Sequence, residues 1–149
     1  MTRWTQENLD SLSWHDNHVH ALRLREGADG AGELELDIDH ILEWLREGGS
    51  FRYRIAPARL RFFGVTGLRI DIDWAISSAA MGPFSISGIE RRIEQRTHYE
   101  AVCWRIPVNF PPGVISFEAT GFEQHLSGTE VLVDHLCLTG TERGDASQD

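Results

Sequence analysis

His15, Asp16, His18 and His20 are the residues of this chain best suited to chemistry, and with His40 they place four of the seven histidines between Ser13 and Trp44. On an extended strand His18 and His20 share a face, because side chains alternate with a period of two. Two imidazoles so placed can hold one transition metal, with Asp16 or His40 as a third ligand. A site left open at its fourth position would activate water, which is the chemistry of a small metal-dependent enzyme. The spacing is neither "HxHxDH" nor "HExxH", and the nearest glutamate after the pair is Glu26. The competing account is structural. Asp16 just before a strand caps a turn through its carboxylate, and His18 and His20 share the parity of Leu22 and Leu24, so without a bulge they would point into the core. The structural account is the stronger of the two.

Other reactive arrangements are weaker. Cys103 and Cys137 form no metal-spaced pair, and both read as reduced packing residues among apolar neighbours. There is no "GxSxG" elbow, and the many acids lack any spacing that would single out a catalytic pair. The glycine-rich run Gly27–Gly32 joins two strands and precedes no helix, so it reads as a hairpin loop and not as a phosphate cradle. Five tryptophans are many for this length. Trp74 and Trp104 have core parity, whereas Trp14 and Trp44 bracket the histidine segment and are the expected surface and partner-binding candidates. A tryptophan cluster at a barrel mouth would instead receive a small apolar ligand.

The elements that must position these residues are strands. "ELELDID" alternates Leu34, Leu36 and Ile38 with Glu33, Glu35, Asp37 and Asp39. "FRYRI" and "ARLRFF", separated at Pro57, alternate Phe51, Tyr53, Ile55, Leu60 and Phe62 with Arg52, Arg54, Arg59 and Arg61. "LRIDIDW" sets Leu68, Ile70, Ile72 and Trp74 against Arg69, Asp71 and Asp73. The charge rows predict neighbours: Glu33 to Asp39 between Arg23/Arg25 and Arg52/Arg54, and Arg59/Arg61 beside Asp71/Asp73 across the "FGVTG" turn. Turns are expected at 47–50, 79–83 and 109–113. Residues 84–96 fit a strand or a helix, and the glycine at their centre with no good capping box favours strand. "YEAVCWRIPV" and "GVISFEATGF" are two further strands, "EVLVDHLCLTG" reads as a buried strand, and residues 1–12 as a short helix or irregular cover.

Mainly β structure follows: an antiparallel meander of about eight strands curled into a sandwich or open barrel, with at most one or two short helices. Residues 1–140 are expected to form one all-β domain, and 141–149 a disordered polar tail. The net charge of −9 disfavours nucleic acid and membrane surfaces and suits a basic protein partner. With no apolar run long enough to span a bilayer and no leader pattern, the expectation is a cytoplasmic protein. No cofactor is expected, a divalent transition metal being the one exception that the histidines allow. The sequence leaves the oligomeric state open, with pairing of exposed edge strands as one route to a dimer.

The segments "SWHDNHVHALRL", "LELDIDHILEW" and "APARLRFFGVTGLRIDID" resemble a group of small bacterial all-β proteins with a "WHD"- or "HDA"-like motif before the first strand. A related-looking group comprises immunity proteins of polymorphic-toxin systems. The resemblance spans the first half of the chain and departs from the pattern at Asn17. It implies a non-catalytic protein that binds another protein, with His15 and Asp16 as the signature pair and no catalytic residue carried over.

Overall fold

The computed structural model describes residues 2–75 and 81–144. Among the described residues, eleven antiparallel strands form one continuous sheet that does not close: β1 (Arg3–Thr5), β2 (His18–Glu26), β3 (Gly32–Glu47), β4 (Ser50–Phe63), β5 (Thr66–Ile72), β6 (Phe84–Ile86), β7 (Glu90–Gln95), β8 (Glu100–Phe110), β9 (Gly113–Glu118), β10 (Gly121–Leu126) and β11 (Val131–Val133). The order is β1-β10-β4-β3-β2-β6-β8-β9-β5, with β11 on β4 and β7 on β8. A 3-10 turn covers Gln6–Ser11, another lies at Ala28–Gly30, and a short helix α1 spans Gly140–Arg143. None of the described helices is long and apolar enough to cross a membrane.

The sheet bends so that its two halves share one core. Leu34, Leu36, Ile38, Leu60 and Phe62 from β3 and β4 meet Trp104, Ile106, Ile115 and Phe117 from β8 and β9. Phe62 sits at the aromatic centre, 4.7 Å from Phe117 and 5.3 Å from Trp104 in edge-on contacts. Such pairs add roughly 0.5–1.5 kcal/mol each beyond the area they bury. The halves join through β2 and β6 over only two residue pairs, His18 with Ser85 and Val19 with Phe84. A second, smaller apolar cluster gathers Ile41, Ile55 and Leu138, with Tyr53, Val131, Val133 and Leu136 packed around them.

The all-β class, the strands at 84–86 and 90–95 and the two strands ending at Phe110 and Glu118 agree with the periodic reading of the sequence. Five expectations are corrected. Pro57 does not divide β4, because its carbonyl accepts from Ser127 on the side away from β3, at 2.8 Å. The carbonyl and the missing N–H of one strand residue point the same way, so the lost donor falls between β10, which ends opposite Ala58, and β11, which begins opposite Ile55.

As a result, the register puts Arg59 and Arg61, not Arg52 and Arg54, beside the acidic row of β3. Glu35, 2% exposed, receives Arg23 at 3.2 Å, Arg25 at 2.9 Å and Arg61 at 3.2 Å, and Asp37 receives Arg23 at 2.6 Å. Burial works to raise the Glu35 carboxyl, but Arg25 and Arg61 outweigh it and hold it below the usual carboxylate range. Arg52 and Arg54 pair instead with Glu47, Glu43 and Glu130.

β5 leaves β4 through Gly64, which has φ +62°, and pairs with β9 at the far end of the sheet, so the expected β4–β5 hairpin is absent. Only Val131–Val133 of the "EVLVDHLCLTG" segment is a strand, and residues 141–143 of the expected disordered tail belong to α1. Residues 145–149, and the start of the expected turn at 79–83, lie outside the described residues.

Candidate functional site

A bulge in β2 decides where the histidines go. Val19 pairs with Ile38 and Ala21 with Asp37, so His20 is an extra residue on its strand. Val19 and the Leu22/Leu36 pair keep the core side, while His18 and His20 meet Asp39 on the opposite side. The parity that pointed both imidazoles inward is thus reset.

His20 Nε2 lies 2.6 Å from Asp39 Oδ2. Asp39 is fully buried, and its carboxylate also accepts from the Leu138 backbone N–H at 2.8 Å and from the Arg143 guanidinium. Arg143 reaches the Ile38 carbonyl as well, at 3.4 Å. A buried carboxylate needs this degree of satisfaction, because an unpaired one costs several kcal/mol. Cys137 Sγ completes the cluster, 3.9 Å from His20 Nε2, and the three donor atoms of His20, Asp39 and Cys137 lie within 4.8 Å of one another. His18 stands beside them with its Nδ1 buried and without a hydrogen-bond partner. Burial pushes the His18 imidazole below its ordinary range, against the pull of Asp39.

His15, Asp16, His18 and His20 do not converge on one point. His15 Nε2 contacts Asp16 Oδ2 at 3.3 Å, and Asn109 Nδ2 donates to Asp16 Oδ1 at 3.2 Å. Asp16 has φ +59°, and its backbone N–H bonds to Ile86, so it is the turn residue that its position before β2 suggests. His40, the alternative third ligand, lies on another contact altogether. Its Nδ1 accepts from Asn17 Nδ2 at 3.0 Å, its ring packs on Trp4, and burial lowers its pKa to about 4.

The Cys137–His20–Asp39 order invites comparison with a nucleophilic triad, and the atoms decide against it. A triad base uses one ring nitrogen for the nucleophile and the other for the acid. Here a single nitrogen, Nε2, faces both Asp39 and Cys137. Burial also pushes the Cys137 thiol up, away from the thiolate.

Sequence reasoning missed Asp39, Cys137, Arg143 and the buried Asn17–His40 pair. One signal was present for Asp39. Arg61 and Arg59 oppose Glu35 and Asp37 on β4, but at Asp39 the alternation runs into Pro57, leaving that acid without a cross-strand arginine.

Trp14 is not a surface residue. It is 2% exposed, donates its indole N–H to Gln124 Oε1 at 2.8 Å and meets Phe122 edge-on. Trp44 is 45% exposed and lies at the base of an arm: its partner Tyr53 pairs with Val133 at the end of β11, and beyond that point β3 and β4 pair only with each other. Gly48 and Gly49 turn the arm, both with positive φ as a two-residue hairpin requires. The cross-strand pairs Trp44/Tyr53 and Arg46/Phe51 share one face of it. Trp44 meets Tyr53 edge-on at 4.9 Å, the His15 ring stacks on Trp44 at 6.2 Å, and Arg46 lies over Phe51, which is 53% exposed.

A groove of about 530 Å³ crosses β7, β8 and β9. Trp104 alone of the tryptophans borders it, and ion pairs such as Arg105–Glu90 and Arg96–Glu94 form its sides. It therefore offers charged groups, not the tryptophan-lined apolar receptacle that a small apolar ligand would need.

No protein-family model matches this chain, and no curated protein matches it significantly.

Proposed function

We propose that this chain is a non-catalytic protein-binding module, of the immunity type that its sequence motifs resemble, and that it contacts its partner through the β3–β4 arm. The observation that carries this reading is the aromatic face of that arm, where Trp44 and Phe51 stand about half exposed beyond the last pairing of β2 with β3. Aromatic side chains with an adjacent arginine are the typical energetic centres of protein interfaces. Glu43, Glu47, Glu130 and the exposed Asp134 surround the arm and its junction with β11. With the net charge of −9, this rim suits a basic partner.

The test pairs Trp44→Ala/Phe51→Ala with a partner identified by crosslinking and then purified. Affinity should fall by about thirtyfold or more, the scale of a lost interface anchor, and weaken further with salt. Unchanged affinity rejects the arm as the contact. The immunity form is tested by co-expression with the product of a neighbouring toxin-like gene, and failure to relieve its toxicity rejects that form.

A further inference from the structure

The geometry points to a structural metal site of the zinc class, formed by His20, Asp39 and Cys137 with His18 at its border, that fastens the C-terminal segment onto β2 and β3. This differs from the site expected from His15, Asp16, His18 and His20. It draws its donors from three separate stretches of chain, and it is independent of the arm.

Three observations carry it. First, an imidazole nitrogen, a carboxylate oxygen and a thiol sulfur converge within 4.8 Å, with Asp39 buried and the other two half-buried. That mixture of sulfur, nitrogen and oxygen selects zinc-like ions over calcium or magnesium, which take oxygen alone. Second, His18 pairs with Asp39 across the β2–β3 ladder, which sets a second imidazole next to the cluster, outside its three converging donors. Third, Arg143 holds Asp39 Oδ1 and the Ile38 carbonyl, while Oδ2, fixed by the Leu138 N–H, is the oxygen turned to His20. An outer partner that fixes a ligating carboxylate in this manner is a regular feature of metal centres.

Binding has definite proton accounting. The Cys137 thiol loses its proton to solvent as the sulfur–metal bond forms, and His20 binds through Nε2 as the neutral ring with its N–H on Nδ1, any proton on Nε2 passing to solvent. The 2.6 Å contact between His20 Nε2 and Asp39 Oδ2 is replaced, since donors about 2.0–2.2 Å from a tetrahedral ion stand roughly 3.3 Å apart. Affinity for the ion should therefore rise with pH.

The experiment titrates tag-free, full-length protein with cobalt(II) as the spectroscopic probe, followed by competition with zinc. A stoichiometric thiolate-to-cobalt charge-transfer band is expected, present in Cys103→Ser and lost in Cys137→Ser, with zinc affinity reduced about tenfold or more in His20→Gln. Zinc should also raise the Tm of wild type but not of Cys137→Ser. The inference is overturned if wild type shows neither band nor Tm shift, if the band persists in Cys137→Ser, or if it depends on Cys103. Should Cys137→Ser fail to fold, undiminished zinc affinity in His20→Gln overturns it equally.

Discussion

His20 meets Asp39 across the β2–β3 ladder only because β2 carries one residue more than β3 requires between Val19 and Ala21. The bulge turns His20 onto the side where Leu138 and Arg143 of the C-terminal segment also reach Asp39. A single carboxylate thereby connects β2, β3 and α1.

Asp39→Asn should destabilise the protein by roughly 3–5 kcal/mol, because it leaves the Arg143 guanidinium buried without its counter-charge. Arg143 is only 8% exposed on its side chain, so water does not replace the lost partner. Chemical denaturation measures this. A loss under about 1 kcal/mol would mean that the C-terminal segment lifts away at little cost.

Stability should fall in acid through His40. Its folded pKa of about 4 lies below the ordinary 6.5, so the fold favours the neutral ring. That contribution is complete above about pH 6.5 and declines as pH drops towards 4, by up to roughly 3 kcal/mol. Protonation also removes the lone pair that accepts from Asn17. An NMR titration of the His40 ring, with denaturation midpoints at matched pH, checks it. A ring titrating near 6.5 in the folded state would refute the expectation.

Glu35→Gln should cost roughly 1–3 kcal/mol, since charge-assisted hydrogen bonds from Arg23, Arg25 and Arg61 converge on that buried carboxylate. Its folded pKa is depressed, so its contribution is present above the ordinary carboxyl range and lost as pH falls through the folded value. Thermal unfolding of wild type and variant should therefore converge at low pH.

Phe62→Ala should cost about 3–5 kcal/mol, because Phe62 is fully buried where both halves of the sheet meet. Trp44→Ala should cost under about 1 kcal/mol, the worth of one cross-strand pair on an exposed arm. Equal losses at the two positions would show that the arm is part of the core.

The strands were legible because a half-buried strand writes its burial into alternate residues: Leu34, Leu36 and Ile38 are fully buried, as their spacing required. Pairing was less legible. Arginine rows exist at 52/54 and at 59/61, and composition cannot say which one faces Glu35; the extended backbone running through Pro57 decides it. β5 carries a hairpin-like charge pattern, yet its partner β9 lies far along the chain. The candidate site was half legible. His18 and His20 were visible as a pair, but a bulge leaves no periodic mark; Cys137 belongs to a segment whose apolar letters resembled a strand, and Arg143 to the polar stretch expected to be a disordered tail. Trp14 looked like a surface residue because nothing nearby in sequence announces its distant acceptor, Gln124.

The pairing of β1 with β10, Arg3 against His125, has a consequence for how the chain comes to order. β1 finds its place only against β10, more than a hundred residues further along the chain, and the far edge of β4 likewise waits for β10 and β11. Contacts closed over such long loops form late and slowly. During translation β1 and the outer edge of β4 therefore remain unpaired until β10 has emerged, and in that interval newly made copies are most prone to join one another edge to edge.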